Sequence, residues 1–266
     1  MISVEFPEPH SSPEDPASPH VPAAGEPIRA EPAPAPPAPV ARSPARTWGE
    51  IVLVFAPLVL AGSILSKLGI TRLEGSLAGS LTVLLSIGIA TALLRRQGRT
   101  WADYGLAAHP SWRRTLGIAL LLLIGTMGVT GIVQLLIRSA GVAPPDYSRF
   151  AAIRGNPKLL AMTLAIAWGT AAFGEEMLVR GFLLNRLAEM WGQSRTAWTG
   201  ALFASSALFG AAHFYQGLSG MLLTGTIGLV FGTVYLAVGR NLWVTILAHG
   251  AIDTISLIAL YAGAGG

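Results

Sequence analysis

The chain has 266 residues, 52% of them hydrophobic and 12% charged, with a mean hydropathy of +0.55; soluble domains carry about 25% charged residues, so a soluble globular enzyme is excluded and a membrane protein implied. Cysteine is absent, which excludes disulfide scaffolds, thiolate nucleophiles and thiolate metal sites and leaves His and carboxylate as the only metal donors. The net charge of +4 marks no nucleic-acid partner, because the basic residues fall mostly in short connections between apolar segments and no stripe of basic and aromatic residues forms a binding face.

Met1 to Thr47 holds 13 of the 18 prolines and sets three arginines against six acidic residues. With almost no apolar periodicity, it is expected to be a disordered, partly polyproline-II tail, a spacer or the ligand of a proline-binding partner. It lacks the basic start, apolar core and small-residue cleavage site of a secretory signal.

Seven apolar stretches follow, long enough to cross a bilayer, which takes roughly 20 helical residues: Glu50 to Ser66, Gly75 to Leu94, Thr115 to Ile137, Pro157 to about Trp191, Ala197 to Phe214, Leu218 to Val238 and Leu242 to Tyr261. The fold class is therefore all-α, a polytopic transmembrane bundle of about seven helices. A closed barrel needs alternating segments, and runs such as Leu120 to Ile124 do not alternate. With the tail cytoplasmic, twelve Lys and Arg lie inside, Arg95, Arg96, Arg113, Arg114 and Arg180 among them, against six outside. That balance favours a cytoplasmic N-terminus, although four of the six outside residues crowd the connection from Arg138 to Lys158. Trp48, Trp101, Trp112, Trp191 and Trp243 stand near span ends, as interfacial anchors do.

Ionisable side chains inside spans cost about 2.5 to 3.5 kcal/mol each at the centre on insertion scales, so each is a functional candidate. Here they concentrate in the last four spans. In Gly174-Glu175-Glu176-Met177-Leu178-Val179-Arg180, residues four apart share a helix face, so Glu176 can pair with Arg180 and Glu175 must look elsewhere. Phe209-Gly210-Ala211-Ala212-His213 follows, then His249-Gly250-Ala251-Ile252-Asp253, whose His and Asp are again four apart. Glu175 lies 17 residues before Gly192 and His213 17 residues after Thr196, both roughly 25 Å from the same turn, so the clusters can line one cavity.

A free glutamate, two imidazoles and a second carboxylate suit activation of water for attack on a carbonyl. Glu175, His213, His249 and Asp253 can do so as ligands of a divalent ion such as zinc, or without metal by holding the water and stabilising an oxyanion. The helical zinc-protease signature HExxH is absent. A proton relay in a proton-coupled transporter and a non-catalytic membrane scaffold are the alternatives.

In this order on a membrane background, Glu175-Glu176-x-x-x-Arg180, Phe209-x-x-x-His213 and His249-x-x-x-Asp253 resemble the three motifs of the CPBP intramembrane proteases, the type II CAAX prenyl endopeptidases and their bacterial relatives, also called the Abi family. His213-Phe-Tyr-Gln-Gly217 is similar to the bacterial branch. The resemblance covers about Pro157 to Tyr261. It implies a catalytic transmembrane core over 157–261, while the tail over 1–47 and the N-terminal transmembrane helices over 48–156 lie outside it. By the same resemblance Glu175 activates the water, His213 assists, His249 and Asp253 serve the water or oxyanion site, and Glu176, Arg180 and Phe209 support them. The implied protein is an intramembrane endopeptidase, glutamate or metal dependent, in the bacterial cytoplasmic membrane, acting on a membrane-associated or prenyl-type protein or peptide. The glycines of the sixth span, Gly217, Gly220, Gly225, Gly228 and Gly232, are expected to allow close helix packing.

Overall fold

The computed structural model describes residues 43–67, 72–107 and 111–263, and the secondary structure of those residues is helical throughout, with no strand. Residues 1–42, most of the expected tail, lie outside the described residues. Seven long helices appear where seven spans are expected: α1 (Pro44–Lys67), α2 (Arg72–Arg96), α3 (Trp112–Ser139), α4 (157–190), α5 (Arg195–Ala212), α6 (Gly217–Ala237) and α7 (Leu242–Tyr261). Among them Gly79–Arg96, Trp112–Ser139, Phe214–Ala237 and Leu242–Tyr261 meet the length and apolarity needed to cross a membrane.

The helix starts follow from local chemistry. Ser111, Asn156, Ser194 and Asn241 each accept a hydrogen bond from a first-turn backbone N–H, the usual work of an N-cap. Pro157 follows Asn156 at the first helical position, where its missing N–H is harmless. Ser43 with Pro44 does the same for α1: the Arg46 N–H donates to the Ser43 hydroxyl at 3.3 Å. The tail boundary expected at Thr47 is therefore corrected, because helix begins at Pro44.

Helix α4 is the pillar of the bundle. Every residue from Glu176 to Ala188 is buried, with α1, α2 and α5 packed around Leu178, Phe182 and Leu187 and α6 and α7 around Met177 and Leu184. An apolar sequence without a polar face thus marks a helix sheathed by protein. The opposite holds for α3, where Leu116, Leu120, Leu121, Ile124, Leu135 and Leu136 are exposed, as on a helix bathed in lipid. Lipid tails give no hydrophobic drive for helices to associate, so small residues must let backbones approach. A Cβ on Gly210 of α5 would lie 2.6 Å from the Met221 carbonyl of α6, and one on Gly228 would lie 3.0 Å from Ser206. The packing expected of the α6 glycines holds for Gly225, Gly228 and Gly232, which all face α5 or the side chains beside it.

The two ends of the bundle differ. At the near end, where α1 begins, Arg186 of α4 reaches Glu189 at 2.7 Å and Gln97 at 2.7 Å, and Gln97 in turn donates to Glu50 at 2.9 Å. Gly105, in the left-handed region at φ +98°, lets the chain pass against Arg240, and its carbonyl accepts from Leu242 N–H at 3.0 Å; any Cβ there would overlap the Arg240 backbone. At the far end, residues 140–156 fold over the tips of α6 and α7. Asp146 N–H donates to the Gln216 carbonyl and Gly155 N–H to the Tyr261 carbonyl, both at 3.1 Å.

Trp48, Trp112 and Trp191 are exposed, and Trp101 and Trp243 are half-buried, Trp101 donating to Thr91 at 2.8 Å and Trp243 lying 5.5 Å from Trp112. Arg180, counted among the inside residues, lies buried in mid-chain and says nothing about sidedness.

Candidate active site

The site is built on α4, which departs from regular winding where the chemistry sits. It is α-helical over Pro157–Ile166, π-helical over Ala167–Glu175 and Met177–Leu184, and α-helical again over Asn185–Met190. Wider π turns are rare and recur at functional sites. Sequence periodicity pointed to an ordinary α-helix here, since the apolar residues are continuous and carry no phase that would reveal a change of pitch. The small Gly174 lets α2 close in, for a Cβ there would lie 2.5 Å from Val83.

The two adjacent glutamates have separate fates. Glu176 is 0% exposed. Its Oε1 accepts from Arg180 Nη1 at 2.7 Å and lies 3.0 Å from His249 Nδ1. Its other oxygen, and Nη2 of Arg180, are buried without a hydrogen-bond partner among the described residues. The Arg180 guanidinium is held between two rings, 4.7 Å from the centroid of Phe209 and 5.3 Å from that of Phe231, a cation–π sandwich. Glu175 is only partly buried and makes no hydrogen bond or ion pair among the described residues. The charges of His249 and Arg180 act on it.

His213 is the residue that ends α5. Its Nδ1 stands 2.9 Å from the Phe209 carbonyl; a carbonyl can only accept, so Nδ1 carries the proton and Nε2 is left as an acceptor. Phe209 thereby supports two partners, Arg180 with its ring and His213 with its backbone. His249 is clamped between carboxylates, Glu176 at Nδ1 and Asp253 at Nε2, the latter at 3.7 Å. That separation is an ion-pair distance, longer than the hydrogen bond that their four-residue spacing allows. Asp253 and His249 lie within electrostatic reach of both Glu175 and His213, so they bridge the two.

Residues that sequence reasoning passed over fix this arrangement. Gly250 lets α7 close on α4, because a Cβ there would lie 2.5 Å from the Trp168 ring, and Trp168 Nε1 donates to Thr254 at 3.1 Å. Thr245, one turn before His249, faces the Glu176 carboxylate, with its hydroxyl proton given to the Leu242 carbonyl at 3.1 Å. Phe231 and Trp168 carry no motif signal, being aromatics among many in apolar helices. The Gly next to His249 is the one hint the sequence offers.

The donors do not fit a metal site as they stand. Among the described residues, no three His, Asp or Glu side chains converge as metal ligands; His249 has a carboxylate at each nitrogen, and Glu176 spends Oε1 on Arg180 and His249.

Beside His213 a cavity of about 430 Å³ opens at the far end, lined by Arg149, Tyr215, Asp146, Ser148, Ala212 and neighbours.

A helical bundle with spans long and apolar enough to cross a membrane, and with carboxylates and imidazoles gathered at its centre, defines the class: an integral membrane protein with ionisable groups inside it. Residues 157–255 match the model of the type II CAAX prenyl endopeptidase Rce1-like family, and the matched stretch contains all seven site residues, from Glu175 to Asp253. No curated protein and no solved structure matches the chain.

Proposed function

We propose that the protein is an intramembrane endopeptidase in which Glu175 activates water for attack on a peptide bond of a membrane-associated or prenyl-type protein or peptide. The observation that carries this is the contrast between neighbours: Glu176 is fully buried with Oε1 committed to Arg180 and His249, whereas Glu175 is partly open and makes no hydrogen bond or ion pair among the described residues. Glu175 takes a proton from water as the oxygen attacks the carbonyl carbon, and returns it to the amine that leaves when the C–N bond breaks. His213 Nε2, an acceptor by virtue of the Phe209 contact, holds the second hydrogen of that water. His249, flanked by acceptors at both nitrogens, is suited to carry two protons and to meet the developing oxyanion as a donor. Glu176 and Arg180 keep that ring in place.

The direct test is the appearance of new protein termini in membranes of cells with the native chain, compared with Glu175→Gln. Termini that depend on the native carboxylate support the proposal; identical termini with equal protein abundance overturn it. Zinc dependence through Glu175, His213, His249 and Asp253 is tested by chelation and readdition of the ion.

We also propose the bacterial cytoplasmic membrane as the site of action, with the N-terminus cytoplasmic. Arg95, Arg96, Arg113, Arg114 and Arg195 gather at the near end with the start of α1, which supports this orientation. The cavity beside His213 then opens on the opposite face.

A further inference from the structure

The cavity beside His213 contains one feature that water activation does not use. Arg149, in the connection between α3 and α4, is exposed and forms no ion pair among the described residues. It is nonetheless held in place, with its guanidinium carbon 4.3 Å from the centroid of Tyr215 and 5.8 Å from that of Phe150. Tyr215 is tied in turn by Gln216, whose amide donates to the phenol oxygen at 3.2 Å, and its ring lies 5.7 Å from that of His213. A guanidinium pinned by rings at the mouth of a site loses less freedom on binding than a free one does.

Asp146 lines the same cavity; its Oδ1 accepts from the Ser148 N–H at 2.8 Å, and it forms no ion pair with Arg149. The charge of Arg149 acts on His213, and Tyr215 on Glu175, with the Tyr215 ring lying against both Arg149 and His213.

We propose that Arg149, seated on Tyr215, is a specificity-determining residue that receives a carboxylate of the substrate in this cavity while the scissile bond lies at Glu175 and His213. The inference rests on the peptidase reading and names what the substrate must carry. Planar guanidinium and carboxylate form paired hydrogen bonds. That carboxylate has two sources, the free C-terminus of a peptide or an acidic side chain, and they are separable.

The experiment uses the full chain in proteoliposomes with three membrane-tethered peptides identical except at the leaving end: one with a free C-terminus, one amidated, and one amidated but carrying an aspartate. The wild type should show KM about fivefold lower for whichever peptide presents the carboxylate, a size set by a charge-assisted bond at a solvent-exposed site. In Arg149→Ala that ratio falls to about 1, in Arg149→Glu it inverts, and in Arg149→Lys part of it returns. The wild-type preference should shrink as salt rises. Preference for the free C-terminus alone assigns that source, and preference for the aspartate peptide assigns the side chain. Equal KM for all three in the wild type, or a ratio unchanged in Arg149→Ala, overturns the inference. Equilibrium binding of the same peptides to Glu175→Gln is read in parallel. If nothing is cleaved but binding still prefers a carboxylate in an Arg149-dependent way, the peptidase reading fails and this one stands; if binding shows no preference, this one fails by itself.

Discussion

At the near end of the bundle Glu50 and Glu189 face Arg99 and Arg186, acid for base, with Gln97 and the Tyr104 phenol between them. At the centre Glu175, Glu176 and Asp253 share one guanidinium, that of Arg180, and two imidazoles. Both clusters are largely withdrawn from solvent, so burial alone does not separate structure from function here. What separates them is saturation. The near-end set pairs each acid with a base, and burial holds the Tyr104 phenol above its ordinary range as a proton donor. The central set holds three acids against one guanidinium and two imidazoles, and leaves Glu175, the second oxygen of Glu176, Asp253 and His213 Nε2 without a hydrogen-bond partner among the described residues. Charges that serve the fold are closed on each other, whereas charges that serve chemistry are left over.

The sharpest way to break that distinction is to neutralise one acid in the central set. Glu175→Gln should lower kcat about a thousandfold, within the range of general-base catalysis, while its melting temperature in detergent stays at the wild-type value. A Glu175→Gln chain that melts much earlier would make Glu175 a structural residue after all. Arginine removal should separate the clusters in the other sense. Arg180→Ala strands Glu176 in a dry core, and Arg186→Ala opens the near-end network; breaking a buried pair costs about 3 to 5 kcal/mol. Arg186→Ala should fall at the low end, since Arg99 still holds Glu189, and its folded fraction should cleave at the normal rate, whereas Arg180→Ala should lose cleavage as well. Both are read by chemical denaturation and by turnover per folded molecule.

Much of this was legible in the sequence, for physical reasons that can be stated. Apolar length reports a spanning helix whatever packs against it, so all seven helices are recoverable. The pairing of Glu176 with Arg180 follows from four-residue spacing and persists at 2.7 Å even though the helix there is π-wound. That winding leaves no trace in a stretch buried on all sides. The seat of Arg180 between Phe209 and Phe231 joins α4, α5 and α6, and contacts between helices far apart in the chain have no local signature. The same holds for the contact of Glu176 with His249, which turned two separate motifs into one unit.

Gly250→Ala strikes at that unit without touching any charge. The added methyl would meet Trp168 at 2.5 Å, so α7 must move away from α4 or the ring must turn, at about 1 to 3 kcal/mol for overpacking. Because His249 and Asp253 ride on α7, cleavage should fall about tenfold, since misplacement by even about 1 Å weakens catalysis. The double variant Gly250→Ala with Trp168→Leu removes the colliding ring and should recover most of the rate. Failure of that rescue would show that Gly250 matters for some reason other than room.

The smallest effect belongs to Asp253→Asn. The carboxylate stands 3.7 Å from His249 Nε2, too far for a hydrogen bond, so the amide keeps the shape of the side chain, loses its charge and adds a donor facing the site. If Asp253 acts on His249 only as a nearby charge, the change should cost less than about tenfold in kcat and leave KM alone, because one ion pair beyond hydrogen-bond distance contributes little. Asp253→Ala, which removes both shape and charge, should cost more. If Asp253→Asn instead matched Glu175→Gln in severity, the free base of the site would be Asp253, and the assignment of the two unsaturated carboxylates would have to be exchanged.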